Sequence, residues 1–210
     1  MSRLGEGDLA GARAVLRDTP PTLDRRALAA YVANYWDLYW ALDSADRALL
    51  LTLPPSAFDN DRGQWGLVRA QLYRLSGDSA RARVYADSAR IAYQADLQAT
   101  PNDLQQHLFL GLALSDLGQS AAAVREGTHG LSIALATGDE FGKIAYAHHV
   151  LARIYVALGD HRNALDQLDA LLAKPYFVSR AWLSIDPTWA SLKGDPRFER
   201  MVAARSPPIA

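Results

Sequence analysis

The side chains of this sequence that we weigh for metal binding or acid–base chemistry are its five histidines: His107, His129, His148, His149 and His161. An imidazole can coordinate a transition metal or transfer a proton near neutral pH. Two metal ligands on one helix must share a face, as an i, i+4 pair does, but the adjacent His148 and His149 point about 100° apart. The chain has no Cys, which excludes thiolate sites and disulfides. The spacing therefore favours histidines in the core or in a groove, and we predict no metal site and no cofactor.

Motifs that carry catalysis are missing from the sequence. It contains no phosphate-binding Gly loop, no Gly-x-Ser-x-Gly elbow, no kinase motif and no His-Glu-x-x-His pair. We therefore predict no catalytic residues and a chain that is not an enzyme. A histidine-dependent metal enzyme is kept only as a third hypothesis.

Composition and charge exclude further classes. The 210 residues include 22 Lys plus Arg and 23 Asp plus Glu, and 50% of them are hydrophobic. That apolar fraction is enough for a core and is not typical of a disordered chain. No basic block is present for nucleic acid, and no apolar run reaches the roughly 20 residues of a membrane helix. We predict neither nucleic-acid binding nor membrane insertion.

An aromatic stripe stands out near the N-terminal end, with five members within ten residues: Tyr31, Tyr35, Trp36, Tyr39 and Trp40. The spacing i, i+4 and i, i+5 places them on one broad face of a helix. Packing in the core is the simpler interpretation. Partner contact is the alternative, because Tyr and Trp are enriched at interfaces. Trp40 is the member that we expect to reach the surface.

The elements that position these residues are predicted to be helices. The chain has 37 Ala and 31 Leu against 15 Val plus Ile, a balance that favours helices over strands. Three turns recur at a fixed spacing, because Gly77, Gly118 and Gly159 are 41 residues apart. Small residues flank each turn at matching places: Ala70, Gly111 and Ala152 before it, and Ala82, Ala123 and Ala164 after it. We predict an all-α solenoid of antiparallel hairpins, in which each Gly ends the first helix.

This pattern of small residues resembles the tetratricopeptide repeat (TPR). The early Trp of that family is replaced by His107 and His148, and the 41-residue spacing exceeds the family's length of about 34 residues. The resemblance implies a superhelix whose first helices line a concave groove. Near the other end, Asp186-Pro187 and Asp195-Pro196 each predict a short helix capped by Asp. This closing stretch resembles the C-terminal TPR region of bacterial multidomain signalling proteins, namely serine/threonine kinases and winged-helix or cyclase-type regulators.

The N-terminal end shows a weaker form of the pattern. Gly7-Asp8 is followed by a second helix without its first, which is expected to leave Leu9, Val15 and Leu16 exposed. A long helix from about Leu23 to Leu42 is predicted next. The chain is interpreted as one domain with six parts: a half repeat (1–20), a degenerate repeat (22–55), three clear repeats (60–100, 101–138 and 139–174) and a C-terminal cap (175–205), in which Trp182, Trp189 and Phe198 cover the last repeat.

The resemblance also implies which residues face the groove. Mapped repeat by repeat, these are Gln64, Leu67, Gln71 and Arg74; Gln105, Leu108, Leu112 and Asp116; and Tyr146, His149, Arg153 and Val156. Trp40 is added from the aromatic stripe. The family's clamp for a peptide carboxylate, a Lys and an Asn, is absent from the matching positions. Arg74 and Arg153 are expected instead to donate to a carboxylate or a backbone carbonyl of an extended or helical peptide.

These observations lead to two main hypotheses about function. The first is a non-catalytic scaffold that binds a protein or peptide in its groove, as the docking or sensor module of a larger bacterial signalling protein. The second is a self-associating structural module, because a second copy could cover the half repeat and form a homodimer. A cytoplasmic location is predicted, or a periplasmic or extracellular one if the parent protein is anchored in a membrane.

Overall fold

The computed structural model describes residues 1–20, 22–138 and 142–203. Over these ranges the chain is all-α without a strand, and its helices pack in successive neighbouring pairs. The predicted solenoid of helical hairpins with a C-terminal cap is thereby confirmed. No helix in these ranges is both long and apolar enough to cross a membrane.

Three hairpins form the centre of the molecule, and we call them the array: α5 (Arg62–Leu75) with α6 (Ser79–Ala99), α7 (Leu104–Asp116) with α8 (Ser120–Thr137), and α9 (Lys143–Ala157) with α10 (His161–Leu172). The elements before the array are α1 (Ser2–Gly5), α2 (Leu9–Arg17), α3 (Arg25–Asn34), α4 (Ser44–Leu50) and a 3-10 helix (Pro55–Phe58). The elements after it are α11 (Arg180–Ile185), a second 3-10 helix (Pro187–Leu192) and α12 (Pro196–Ala203). Residues 139–141 of the predicted third repeat and residues 204–205 of the predicted cap lie outside the described residues.

Each hairpin of the array turns at the predicted glycine. Gly77, Gly118 and Gly159 have φ values of 82°, 74° and 75°, a left-handed conformation that glycine adopts without steric cost. The next backbone amide then donates to a carbonyl five residues earlier, at 2.9 to 3.0 Å in all three turns. These bonds satisfy carbonyls that the helix end would leave unpaired. The predicted role of the three glycines is confirmed.

Small residues let the two helices of a hairpin approach closely. A Cβ atom on Gly66 would lie 2.9 Å from the backbone nitrogen of Ala89 and 3.0 Å from the carbonyl oxygen of Tyr85. On Gly111 it would meet the carbonyl oxygen of Ala123 at 3.1 Å. The helices therefore pack backbone against backbone, which a larger side chain would prevent.

The predicted helix from Leu23 to Leu42 is wrong beyond Asn34, where α3 ends. Residues 36–42, which we call the inner segment, form successive turns instead. All seven of their side chains are at most 8% exposed. A helix on the face of the array would bury only one of its sides, so unwinding is what allows seven consecutive side chains to be buried.

The aromatic stripe is accordingly split between surface and core. Tyr31 and Tyr35 are exposed, whereas Trp36, Tyr39 and Trp40 are buried. The expectation that Trp40 reaches the surface is wrong, since only 1% of it is exposed. Its ring lies edge-to-face against Trp182 of the cap, with 5.9 Å between the ring centroids.

The first helix meets the cap. α1 packs against α11, and the Ser179 hydroxyl donates to the carbonyl of Gly5 at 2.6 Å. The cap thus covers the half repeat, which was expected to lack a neighbour. Leu9 and Leu16 are half-buried against the core, so their predicted exposure is wrong, and only Val15 stays exposed.

Both Asp-Pro motifs start short helices, as predicted. Asp186 accepts a hydrogen bond from the amide of Thr188 at 2.9 Å, and Asp195 accepts one from the amide of Arg197 at 2.7 Å. The three aromatic residues predicted to cover the last repeat are completely or almost completely buried: Trp182, Trp189 and Phe198. They cover the end of the array, where a solenoid otherwise exposes an apolar face.

Candidate functional site

The predicted groove positions lie on α5, α7 and α9, the first helices of the three hairpins, which pack side by side. Leu67, Leu108 and Leu112 belong to one buried cluster, and so does Trp36. We call the surface that these three helices present to Trp36 the concave face, after the groove that the resemblance implies.

The inner segment covers the middle of the concave face. The indole of Trp36 lies 5.8 Å from the ring of Phe109, 6.0 Å from Tyr146 and 5.0 Å from His149, measured between centroids. The guanidinium carbon of Arg153 is 5.1 Å from the centroid of the Trp36 ring, within the range of a cation–π contact. Three rings and one cation thus enclose the indole.

Backbone carbonyls next to Trp36 are held by side chains from two sides. Gln64, a predicted groove residue, donates from Nε2 to the carbonyls of Ala33 at 3.1 Å and Asn34 at 3.4 Å. These are carbonyls at the end of α3, where the helix supplies no partner. From α2, Arg13 donates to the carbonyl of Ala41 at 2.8 Å. The concave face therefore binds main-chain groups at the end of α3, whereas the inner segment's carbonyl at Ala41 is bound from α2.

Arg153 is occupied by the cap rather than free in the groove. It donates to Asp186 Oδ2 at 2.5 Å, to Thr188 Oγ1 at 2.8 Å and to His149 Nε2 at 3.2 Å. Its guanidinium also lies 5.4 Å from the ring of Trp189. The expectation that Arg153 offers free donors to a partner is wrong, because every guanidinium nitrogen already donates within the chain.

Arg74 is paired as well, but it remains accessible. Its Nη1 donates to Asp116 Oδ1 at 2.5 Å, and 34% of the Arg74 side chain is exposed against 4% of Asp116. Burial raises the pKa of Asp116, and the neighbouring guanidinium partly offsets this. The two predicted groove residues therefore bind each other across α5 and α7.

Several buried polar groups of the inner segment and of the array have no hydrogen-bond partner among the described residues. They are Asp37 Oδ2, His149 Nδ1 and both amide atoms of Gln71. Asp37 Oδ2 lies 3.9 Å from His149 Nδ1, too far for a hydrogen bond. Burial raises the pKa of Asp37 to about 7, although Arg153 acts in the opposite direction. Burial, and then the charge of Arg153, lower the pKa of His149 well below its usual value, so this ring is neutral.

Two cavities remain open at opposite ends of the concave face. A cavity of about 740 Å³ is lined by Gln105 and Tyr146 together with Tyr176 and Phe177, and we call it the rim pocket. The second, of about 360 Å³, is lined by predicted residues Arg74, Arg153 and Val156 and by parts of the cap. The remaining predicted residues are buried: Gln64, Leu67, Gln71, Leu108, Leu112 and His149. Leu108 lies inside its hairpin, against Gly130 of α8. Trp40 lies deeper still, in the core between the array and the cap.

Two of the other histidines bond across a hairpin, and the rings of His107 and His129 are in contact, with 4.4 Å between their centroids. His107 Nδ1 bonds to Glu126 Oε2 and His148 Nδ1 to Gln167 Oε1, each at 2.7 Å. Both bonds join the two helices of a hairpin at equivalent repeat positions. Over residues 1–20, 22–138 and 142–203, no group of three His, Cys, Asp or Glu side chains could hold a metal ion.

Comparisons with protein-family models, with curated proteins and with solved structures found no match. The helical repeat architecture is observed, whereas the resemblance to the tetratricopeptide repeat stays a prediction. Sequence reasoning missed Trp36 and Asp37 as occupants of the concave face. A signal was present, because the run from Trp36 to Leu42 is apolar at almost every position and so lacks a helical period.

Proposed function

We propose that this chain is a non-catalytic protein-interaction module that binds a polypeptide segment on its concave face. One observation carries the proposal: the face already holds a stretch of the chain itself, with Trp36 between aromatic rings and Gln64 donating to carbonyls at the end of α3. A surface that binds one such stretch has the chemistry to bind another. The likeness of the closing Asp-Pro stretch to signalling proteins supports a docking or sensor role in a larger bacterial protein.

The rim pocket is the part of the concave face that a partner can reach first. Its wall combines the rings of Tyr146, Tyr176 and Phe177 with the exposed amide of Gln105. Aromatic side chains provide large contact areas, and an amide supplies both a donor and an acceptor for a peptide backbone. A peptide segment fits this chemistry better than a charged polymer does, since the lining is mostly uncharged.

Selection from a random-peptide display library on the full chain tests the proposal. We expect enriched peptides whose Kd rises at least about 10-fold when Gln105→Arg and Tyr146→Ala are combined. The matched control is Val84→Ser with Ile91→Ser, at exposed apolar positions of α6 on another side of the array. Enriched peptides that tolerate the rim variant but not the α6 control would contradict the assignment to the concave face.

Self-association is a second candidate function, and a separate surface supports it. Four large apolar side chains near the N-terminal end are 47–62% exposed: Met1, Val15, Tyr31 and Tyr35. They line a common cavity of about 300 Å³ between α2 and α3. Clustered apolar exposure of this kind is typical of interfaces.

Light scattering across a concentration series tests this candidate. If the surface joins two copies, the wild-type chain dimerises, and Val15→Glu shifts it to the monomer. Leu135→Ser is the control, since Leu135 is an exposed apolar residue of α8 outside this surface. A wild-type chain that stays monomeric at the highest concentration would count against self-association.

A further inference from the structure

We infer that the cavity of about 360 Å³ between the array and the cap binds a small carboxylic acid, with the carboxylate on Arg74 and a short apolar chain against Val156. We call this cavity the junction pocket, because α5, α9, the inner segment and the cap all contribute to its lining. Its volume lies near the lower end of the range of about 300–1,000 Å³ that is typical of small-molecule sites. The site goes beyond the function proposed above, since it needs no peptide.

The charged side chains of the junction pocket favour an anion. Arg74 and Arg153 lie in its wall, and no Asp or Glu lines it among the described residues. The acidic partners of the two arginines are buried, since 4% of the Asp116 side chain and none of the Asp186 side chain is exposed. A ligand that enters the pocket therefore meets the arginines and not their carboxylates.

The pocket also has hydrogen-bond donors left for a ligand. Arg74 is 34% exposed, and its bond to Asp116 uses only Nη1 of a guanidinium that has five N–H donors. Thr188 Oγ1 accepts a hydrogen bond from Arg153 at 2.8 Å, which leaves the hydroxyl hydrogen to donate elsewhere. Ser191 is exposed and adds a second hydroxyl to the lining. An acceptor in the pocket can therefore bond to several donors at once.

A carboxylate suits these donors better than a phosphate does. The planar fork of a guanidinium matches the two oxygens of a carboxylate. Each arginine already shares its charge with a buried carboxylate, so the wall balances one added negative charge more readily than two. A phosphate group carries close to two charges at pH 7. An amine would face two guanidinium groups and be repelled.

The rest of the lining selects an apolar chain on the acid. Leu75, Val156 and Ala157 line the pocket from the array, and Pro187 and Ala190 line it from the cap. None of the five is buried, so a ligand can still remove their surface from water. Each methylene group that is buried there adds to the affinity through the hydrophobic effect. An acid of about four to six carbons satisfies both the polar and the apolar part of such a small cavity.

Titration of the full chain with three probes tests the ligand class. The probes are sodium hexanoate, hexanamide, which has the same chain without the charge, and inorganic phosphate, which has charge without the chain. Binding is followed by ¹⁵N–¹H NMR at pH 7, with sodium chloride holding the ionic strength constant. We expect hexanoate to saturate one site with a Kd of about 1 mM or lower, and the other two to bind at least about 10-fold more weakly.

Three results of this titration would overturn the inference. Hexanamide that binds as tightly as hexanoate would show that the charge is not recognised. Phosphate that binds more tightly than hexanoate would show that the apolar chain is not. A wild-type chain that is not saturated by hexanoate at about 20 mM would show that the site is absent.

Variants then locate the bound acid. Arg74→Gln combined with Asp116→Asn removes both charges together, so that no buried carboxylate loses its partner, and should raise the Kd of hexanoate at least about 10-fold. Ser191→Tyr fills the pocket from an exposed position and should abolish saturable binding. Arg200→Gln is the control, at an exposed arginine of α12 outside the pocket, and should leave the Kd unchanged. Hexanoate that binds the Ser191→Tyr chain as it binds the wild type would refute the junction pocket as its site, even if the double variant does not fold.

A measurement on the wild type needs no variant. With methyl-labelled protein, hexanoate methylene groups should give intermolecular nuclear Overhauser effects to the methyl groups of Leu75 and Val156. Val84, an exposed apolar residue of α6 outside the pocket, is the internal reference and should give none. Equal effects at Val84 and Val156 would mean non-specific association and would contradict the inference.

This inference and the proposed function fail separately. Gln105 and Tyr146 do not line the junction pocket, so the rim variant that weakens peptides should leave the Kd of hexanoate unchanged. A chain that binds library peptides through the rim pocket but does not bind hexanoate loses this inference alone. If library peptides displace hexanoate, the carboxylate that the junction pocket binds belongs to a peptide, and a free acid as its ligand is refuted.

Discussion

The array repeats its contacts every 41 residues, whereas the chain before and after it, residues 1–58 and 175–203, follows no period. In the array, glycine and alanine set the distance between helices, as Gly66 and Gly111 show. Four of the five tryptophans lie outside it: Trp36, Trp40, Trp182 and Trp189. Small residues allow the helices of the array to pack regularly, and large aromatic residues fill the irregular space between the array and the other elements.

The array and the segments around it also differ in how far apart in sequence their contacting residues lie. A simple solenoid makes contacts only between neighbouring repeats, so that its stability is a sum of local terms. Here Ser179 bonds to Gly5 across 174 positions of sequence. One buried cluster also joins Trp40, Trp182 and Trp189 with Leu72 and Ala152 of the array. Residues 1–58 and 175–203, which we call the closing segments, therefore connect α1 with the cap and pack together on the array.

Removing a tryptophan of the closing segments tests whether these segments fold together with the array, and it is expected to have the largest effect. We expect Trp182→Ala to lower the free energy of unfolding by about 3–5 kcal/mol, because its buried ring contacts Trp40 and Phe177. Leu108→Ala in the array is the matched core variant, with an expected cost of about 2–5 kcal/mol. Both are measured by urea unfolding, which should remain a single transition. A loss below about 1 kcal/mol for Trp182→Ala, or a separate early transition, would show that the closing segments fold apart from the array.

The pH dependence of stability tests the buried carboxyl that the inner segment brings to the concave face. Burial raises the pKa of Asp37 to about 7 in the folded chain, against about 3.9 when unfolded. The folded state therefore holds the proton more tightly, and the stability that this supplies below pH 4 is lost as the pH rises to about 7. Asp37→Asn does not titrate. Between pH 5 and pH 8 we expect the wild type to lose about 2–3 kcal/mol relative to this variant.

Urea unfolding at a series of pH values measures that difference. The opposite effect of His149, whose low pKa favours folding at higher pH, is common to both chains and cancels. Asp18→Asn controls for the loss of one charge, since Asp18 is exposed at the end of α2. A difference between wild type and Asp37→Asn that stays constant from pH 5 to pH 8 would mean that Asp37 is ionised in the folded chain.

Sequence reasoning succeeded where the chain repeats. The spacing of Gly77, Gly118 and Gly159 predicted the turns, and the small residues around them predicted the close packing of the hairpins. The Asp-Pro motifs at Asp186 and Asp195 predicted two helix starts, because capping is a local interaction that a few residues determine.

It failed where long-range contacts decide the local structure. The residues from Leu23 to Leu42 have good helix propensity, but burying all of Trp36 to Leu42 favours turns over a helix. No local signal shows that Ser179 and Gly5 meet, or that Asp186 occupies Arg153. The packing of α5, α7 and α9 side by side was predictable from the repeat register. The segment that packs on these helices was not, because it comes from outside the register.

Adding a methyl group between the two helices of a hairpin tests how closely the helices of the array pack. At Gly66 an added methyl group would contact the backbone of Ala89 and Tyr85, which cannot move as a side chain could. We expect Gly66→Ala to cost about 2 kcal/mol in urea unfolding. Gly118→Ala is the control with open space around the position, and it should cost only about 1 kcal/mol through its positive φ. If the two costs were equal, backbone conformation rather than close packing would explain the small residues of the array.

The smallest effect tests whether the three turns are equivalent. Asp78 and Asp160 accept hydrogen bonds from the amides of Arg81 at 3.0 Å and Asn163 at 3.2 Å, whereas Gln119 at the same repeat position forms no such bond. Gln119→Asp should therefore stabilise the chain by about 0.5–1 kcal/mol in urea unfolding, and Asp78→Gln should destabilise it by a similar amount. A neutral Gln119→Asp beside a costly Asp78→Gln would mean that the start of α8 is held by its neighbours α7 and α9 rather than by its cap. In that case the central hairpin would owe its order to the flanking repeats, and even the periodic part of this chain would depend on contacts beyond a single repeat.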